Sequence, residues 1–583
     1  MARALIGAYP DGVWLAELAS LSKGEFVAQS VVEAVGVQGQ PGRSLTDTLV
    51  DALRTKKMLL VLDNCEHLID AVVSLAALLL DSCLRLRILS TSREALGAVG
   101  EVIWPVPLLS VPDPRSPPLE AQLEGYEAMR LFVDRARQRK PTFALRGENV
   151  QTVAQICIRL EGLPLAIELA AARIKMLPPQ AMLNRLSDRL KLLTGGPRES
   201  SERQRTLRST IEWSYELLEE GENVLFARLS VFSGGATLEA TEAVCGTVGD
   251  LSVDALEGTS SLLDKSLLWQ EEGAEGTPRF VMLETIREYA QERLEESGEA
   301  EITRRAHAEY FLSLAEEAEP MLWGPEDAAW SNRLEREHDN MRAALYHALE
   351  LETAECALRL GGALRWFWWI EGYYSEGRSW LEAALAKYGR ASAQARAKAL
   401  EGVGWLADRH GDLDRAEAAA EEGLKLSAEA ELGELVVAEF QNVLGDAARQ
   451  RGDYERATRL VEESLALYQA AGDKPGIAWT LGNLANVPGD RGDHERAKQL
   501  YEEGIARSRQ LGGAYPLGEY LVSPGYTLLL EGNPERTMEL NEEAADLLRK
   551  RGRRGGLQFA LDNLVWAMLL RGERQSHPLQ RVG

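Results

Sequence analysis

Hydrophobic and polar positions change their period three times along this 583-residue chain. In the first hundred residues, short apolar runs alternate with stretches of helical period. GVWLAEL (12–18), MLLVLD (58–63) and RLRILSTS (85–92) predict strands. EFVAQSVVEAVG (25–36), SLTDTLVDALRTK (44–56) and a segment at about 66–81 predict helices, with Ser44 and Asp47 giving the second a capping-box-like start. Strands separated by helices of this length imply a parallel sheet with right-handed crossovers. EVIWPVPLL (101–109) carries two prolines, which puts it at a sheet edge or just off the sheet.

Beyond the proline-rich joint VPDPRSPP (111–118) the period becomes wholly helical. The polar linker TGGPRESSERQR (194–205) then leads to a mixed segment. There IEWSYELL and NVLFARLSVF read as helices, and LLDKSLLWQEE with TPRFVMLE reads as a hairpin packed on TIREYAQERLEE. Helices with a two-stranded wing imply a winged-helix module. From about 360 a glycine-centred motif recurs as EGYYSEG, HGDLDRA, RGDYERA, RGDHERA, EGNPERT and RGERQ. Its glycines, Gly372, Gly411, Gly452, Gly492, Gly532 and Gly572, are 39, 41, 40, 40 and 40 residues apart. A helical repeat of that length is the signature of stacked helix pairs, with glycine at the turn and a small residue (Ala416, Ala457, Ala497) admitting close packing just after it. The pattern resembles tetratricopeptide repeats in a longer variant. Pro488 in NVPGDRGD is expected to break or end the first helix of its repeat. The predicted domains are therefore a core at 1–110, a helical lid at 119–194, a winged helix at 206–300, a helical linker at 301–360 and repeats at 361–583.

A chain of this length exceeds a single core. The net charge of −25 is uneven: residues 1–200 carry 23 basic and 22 acidic residues, leaving 42 against 68 for the remainder. The acidic C-terminal part would repel nucleic-acid phosphate, which turns attention to protein partners. Five scattered cysteines with no CxxC suggest neither zinc nor a disulfide framework and fit a reduced, cytoplasmic setting. The longest apolar run, 71–80, is too short to span a membrane.

MLLVLD stops abruptly on Asp63 and Asn64. A carboxylate ending a parallel strand can grip a nucleotide-bound Mg²⁺, or it can cap the helix that follows. LLVLDNCEHL, ILSTSRE, EGLPLAIELAA and FVMLETIREYAQERL stand in the order of the STAND class of signalling NTPases (NB-ARC-like). Together they resemble the large bacterial ATPase–tetratricopeptide regulators of the AfsR/LuxR type. The resemblance implies a multidomain α/β + α fold: a partial parallel-sheet P-loop NTPase core, a helical lid, a winged helix, then an all-α superhelix. It further implies Asp63 as the Walker B ligand of Mg²⁺, with Asn64 or Glu66 placing the attacking water. Arg93 would be the sensor arginine near the γ-phosphate, helped by Thr91 and Ser92. Gly162, Leu163 and Pro164 would form the turn that packs on adenine, although Gly-x-Pro also punctuates ordinary helix pairs. Where relatives carry a histidine against bound diphosphate this chain has Leu283, followed by Glu284 instead of aspartate, so that clamp is altered.

No GxxxxGK[ST] phosphate cradle occurs anywhere in the sequence. In this sheet class the strand feeding that loop lies beside ILSTS, which would otherwise have an open edge. Either an N-terminal segment of a longer protein supplies the loop, bringing ATP or ADP with Mg²⁺, or the chain is a degenerate member that binds none. The first case gives a nucleotide-dependent switch of a transcriptional regulator. Its repeats would sense an inducer or partner protein, it could self-associate, and its DNA output would lie in another domain. The second gives a non-enzymatic tetratricopeptide scaffold. In either, RWFWWIEGYY (365–374) could face a ligand or fill the first helix pair. The winged helix is a poor DNA reader, since SVDALEGTSSLLDKSLL is not basic. Dispersed histidines give a hydrolase or metalloenzyme no support.

Overall fold

The computed structural model describes residues 5–112 apart from 20, 22, 38–43, 93, 94 and 105. It also describes 125–192 apart from 161, 208–246 apart from 209, 210 and 213, 251–272, 277–350, 354–387, 391–550 apart from 531, and 554–571. These form two compact units, one from 1–101 with 311–583 and one from 102–310.

The first unit opens on β1 (Val13–Glu17), α1 (Val27–Val35), α2 (Leu45–Leu53), β2 (Leu59–Asp63), α3 (Ile69–Ser82) and β3 (Arg87–Ser90). All three strands are parallel in the order β1-β2-β3, with Leu15 opposite Val61 and Val61 opposite Leu89. Leu59 to Leu62 of the central strand are buried, as are Val31, Leu49, Val72 and Leu79 of the helices. Ser44 caps α2 as expected, its hydroxyl accepting from the Asp47 N–H at 3.1 Å. Among the described residues β3 pairs only with β2, so its outer edge is open. EVIWPVPLL forms no strand among them.

The same unit continues through α12 (Ala300–Met321, which begins in the other unit), α13 (Asp327–Arg336), α14 (His338–Glu350), α15 (Ala354–Glu371) and α16 (Tyr374–Lys387). Then come α17 (Ala393–Arg409), α18 (Leu413–Ala430), α19 (Glu434–Gln450), α20 (Tyr454–Ala471), α21 (Lys474–Asp490) and α22 (His494–Leu511). The array closes with α23 (Ala514–Val522), α24 (Pro524–Leu530), α25 (Pro534–Lys550) and α26 (Arg554–Leu570). Gly372, Gly411, Gly452, Gly492 and Gly532 all sit at the turns with φ between 74° and 90°, the left-handed region that ends helices; Gly572 lies outside the described residues. The aspartate after the glycine starts the next helix: Asp412, Asp453 and Asp493 each accept from the N–H three residues on at 3.2 Å. One Gly-Asp dipeptide thus stops one helix and caps the next. Ala416, Ala457 and Ala497 are fully buried. Pro488 does not break its helix: α21 runs through it to Asp490. The proline sits in the last turn, so the one i→i−4 bond it removes leaves only the helix's final residues less tied before Gly492 ends the pair.

Within this unit the α/β core meets the repeats. Phe26 stacks on Trp380 with centroids 5.8 Å apart, Lys23 Nζ lies 5.1 Å above the same indole, and Ser379 Oγ donates to Glu25 at 3.1 Å.

The second unit holds α4 (Glu127–Arg139), α5 (Glu148–Arg159), α6 (Pro164–Ala172) and α7 (Pro179–Leu192), packed around Phe132, Val153, Leu160, Ile167 and Leu186. It continues with α8 (Glu220–Leu229), β4 (Ala236–Thr237), α9 (Leu238–Cys245), α10 (Ala255–Asp264), β5 (Trp269–Glu272), β6 (Pro278–Val281) and α11 (Glu284–Ser297). Its antiparallel sheet has the order β4-β6-β5, the helices-plus-wing arrangement expected from the sequence.

Candidate functional site

At the carboxyl ends of β2 and β3 four backbone and side-chain bonds tie the two strands together. The Thr91 N–H donates to Leu62 O at 2.9 Å, and the Cys65 N–H donates to Thr91 O at 3.0 Å. The Thr91 hydroxyl donates to Asp63 Oδ1 at 2.5 Å and accepts the Asn64 N–H at 3.0 Å. Asn64 has φ 65°, a left-handed position that asparagine tolerates better than most residues, so the chain leaves the sheet there. This is why the strand stops on Asp-Asn. The helix-cap alternative for Asp63 fails, because α3 begins six residues later and its cap position is Leu68. Cys65 is buried, and burial with the nearby Glu66 and Asp63 charges pushes its thiol up to about 12, which leaves it inert.

Asp63, Asn64, Thr91 and Ser92 are thus brought together at the C-terminal edge of a parallel sheet, where open α/β sheets place ligands. Arg93 lies outside the described residues. Among the described residues no three His, Cys, Asp or Glu side chains cluster as an all-protein metal site. A nucleotide-borne Mg²⁺ asks for less, one or two carboxylates with phosphate oxygens completing the shell. Asp63, held by Thr91 through one oxygen only, fits that requirement.

In the other unit Leu163 occupies the cap position of α6 and Pro164 its first turn. Gly162 has φ 70°, and its carbonyl accepts the Leu109 N–H at 3.1 Å. A Cβ on Gly162 would lie 2.2 Å from Leu109 O, so the glycine is demanded by its own chain. Leu283 takes the cap position of α11 and is 37% exposed; it has no polar atom with which to bind phosphate. In the winged helix, α10 carries Glu257 and Asp264, and Lys265 beyond its end is taken by Glu222. That helix offers no cation to a DNA backbone.

Two family profiles match this chain. Residues 218–295 match the family described as winged helix-turn-helix domain, and residues 436–510 the family described as tetratricopeptide repeat. Over 378 residues the chain is 40% identical to Rv0890c of Mycobacterium tuberculosis, named as an HTH-type transcriptional regulator; the match covers 64% of this chain and 41% of Rv0890c. The chain thus spans about two-fifths of the length of that curated relative. Over 291 residues it is 40% identical to the uncharacterized protein Rv0894 of the same organism, covering 50% of this chain and 70% of Rv0894. A solved STAND protein with a tetratricopeptide repeat sensor from Pyrococcus horikoshii aligns over 97% of this chain and 88% of its own. Its TM-score of 0.39 and identity of 12% are too low to carry an argument. No described helix is long and apolar enough to cross a membrane. At 40% identity over 70% of the length of Rv0894, the chain belongs to the family of that mycobacterial protein.

Proposed function

We propose that this chain is the switch and sensor portion of a transcriptional regulator. A Mg²⁺-bound ATP or ADP would be read at the tips of β2 and β3, and a partner or inducer would be read by the repeats. The observation that carries the reading is the Thr91–Asp63 bond, which fixes a partly exposed carboxylate at the sheet edge where a nucleotide-borne cation is gripped. Asp63 would ligate the ion and Thr91 would hold Asp63 in place. Asn64 and Ser92 lie beside them, and Arg93 would report the γ-phosphate through its guanidinium.

Communication to the repeats has a physical route in the Phe26–Trp380 stack and the ionic groups beside it, all inside one compact unit. Nucleotide that binds one state of the core better would shift the whole unit's equilibrium. The test is amide hydrogen exchange on the full chain with and without MgATP. The reading expects altered protection in α14 and α16, lost in Asp63→Ala; unchanged exchange at saturating MgATP would refute it. The scaffold reading keeps one observation in its favour, the absence of GxxxxGK[ST] from the sequence, and it predicts that unchanged result.

A further inference from the structure

The repeat unit contains a cavity of about 280 Å³ whose walls come from positions up to 160 residues apart and include Glu319, Trp323, Arg365, Trp366, Glu439, Asp473 and Trp479. Three indoles frame it, with Trp323 5.0 Å from Trp366 and 6.0 Å from Trp479, and Trp366 5.5 Å from Trp479. Behind them Trp369 and Trp405 lie 5.7 and 5.5 Å from Trp479, which fixes the frame.

Charge around this frame is unbalanced. Arg365 pairs with Glu319 and Glu401, and Lys398 pairs with Glu319, so two cations answer two carboxylates. Among the described residues Glu439 and Asp473 form no ion pair, and Glu439 Oε2 is buried without a hydrogen-bond partner. Burial, with Glu401 nearby, pushes the Glu439 carboxyl up to about 8 despite the opposing Tyr468 hydroxyl and Arg365; burial also raises Asp473. An orphaned acceptor beside aromatic faces is the complement of a cation bearing N–H donors.

We propose that this cavity binds an alkylammonium group, seated against the faces of Trp323 and Trp479 and hydrogen-bonded to Glu439 and Asp473. A quaternary head would bring charge but no donor for Glu439. At about 280 Å³ the space is below the roughly 300–1,000 Å³ of drug-sized sites, so it admits a small amine or one side chain. The inference rests on the repeats being the sensing element, and it gives that element a ligand class. The same chemistry is offered by a free diamine and by a lysine side chain of a peptide.

The experiment is calorimetric titration of the full chain at a pH above 8, with tryptophan fluorescence as a second readout. The probes are cadaverine, Nα-acetyl-lysine amide and, as the neutral isostere, pentane-1,5-diol. One or both amines should bind and the diol should not. Tighter cadaverine would identify a free amine as the source, and tighter lysine amide a peptide. Glu439→Gln, which keeps the shape, and Trp479→Leu should each weaken binding about tenfold or more. Asp63→Ala should leave amine binding unchanged, so a failed nucleotide site and a failed amine site give different results. Binding of the diol as tight as that of the amines would overturn the proposal. So would binding of neither amine, or unchanged affinity in both cavity variants with wild-type thermal stability.

Discussion

Arg342 grips Glu376 through two nitrogens, Nε at 2.7 Å and Nη2 at 2.6 Å, with the Glu376 side chain wholly buried. His338 Nε2 lies 3.2 Å from the same carboxylate, and Tyr373 donates to Glu335 at 2.6 Å. Glu33 of α1 enters this group from the α/β core, its Oε1 buried and unpartnered. Burial pushes the Glu33 carboxyl up to about 7, against the pull of Arg342 and His338 and with the push of Glu376. Desolvation wins there because Arg342 is already satisfied by Glu376.

A group raised in the fold stabilises it while protonated. The Glu33 contribution is full below its unfolded value near 4.5 and is lost as pH rises through about 7. Thermal stability of the full chain should therefore fall between about pH 5 and pH 7.5, and Glu33→Gln should flatten that slope. Glu376, held well below its usual range by Arg342 and His338 in spite of burial, acts in the opposite direction, its contribution disappearing only as pH falls below about 4.5. An unaltered slope in Glu33→Gln would remove Glu33 from the account.

Gly162→Ala forces a left-handed alanine and drives its Cβ into Leu109 O. Gly298 has a similar φ of 76° but open space around it. Alanine at Gly298 should cost about 1 kcal/mol, and alanine at Gly162 at least about 2 kcal/mol more, by urea denaturation. Equal costs would show that the Leu109 approach relaxes freely.

Lys265 and Ser261 both bind Glu222, whose side chain is 8% exposed. Burial works against the Glu222 carboxylate, but these partners outweigh it and hold it below the usual range. Lys265→Met would strand that charge and should cost about 3 kcal/mol, while Glu222→Gln with Lys265→Met should recover much of the loss. A double-mutant cycle with no coupling would contradict this.

Ala457 sits fully buried at the Gly452 turn beside Ala448, Tyr454 and Val487. Ala457→Leu has no room and should destabilise the repeats by about 1–3 kcal/mol, read as a lower thermal midpoint of the full chain. A stability equal to wild type would mean that the turn is loosely packed.

The repeats were legible because one physical device recurs. Glycine supplies the left-handed turn, and the small residue after it lets the next helix close in. The capping aspartates stood in the same motif but signal their role only once their distance to the following N–H is known. The sheet was legible from its apolar runs, and Asp63 from its place at the end of one. The sequence places Thr91 only as a helper of Arg93; its anchoring of Asp63 depends on register across two strands, which no local pattern encodes. The Glu33–Arg342–Glu376 group and the cavity at Glu439 escaped for the same reason, since each joins residues hundreds of positions or several repeats apart. Pro488 does not break its helix, which ends two residues later at Asp490, so the bond it removes disturbs only the final turn. In RWFWWIEGYY, Trp366, Phe367, Trp368, Trp369 and Tyr373 are all buried, as the helix-filling reading expects, and Trp366 also lines the cavity.

The most direct test of the nucleotide site is the Mg²⁺ dependence of ATP binding by the full chain, titrated calorimetrically with the ion present and with it chelated. If Asp63 grips the ion, binding weakens on chelation in the wild type, and Asp63→Asn binds weakly whether or not Mg²⁺ is there. Equal Mg²⁺ dependence in Asp63→Asn and wild type, or no binding of ATP at all, would contradict it.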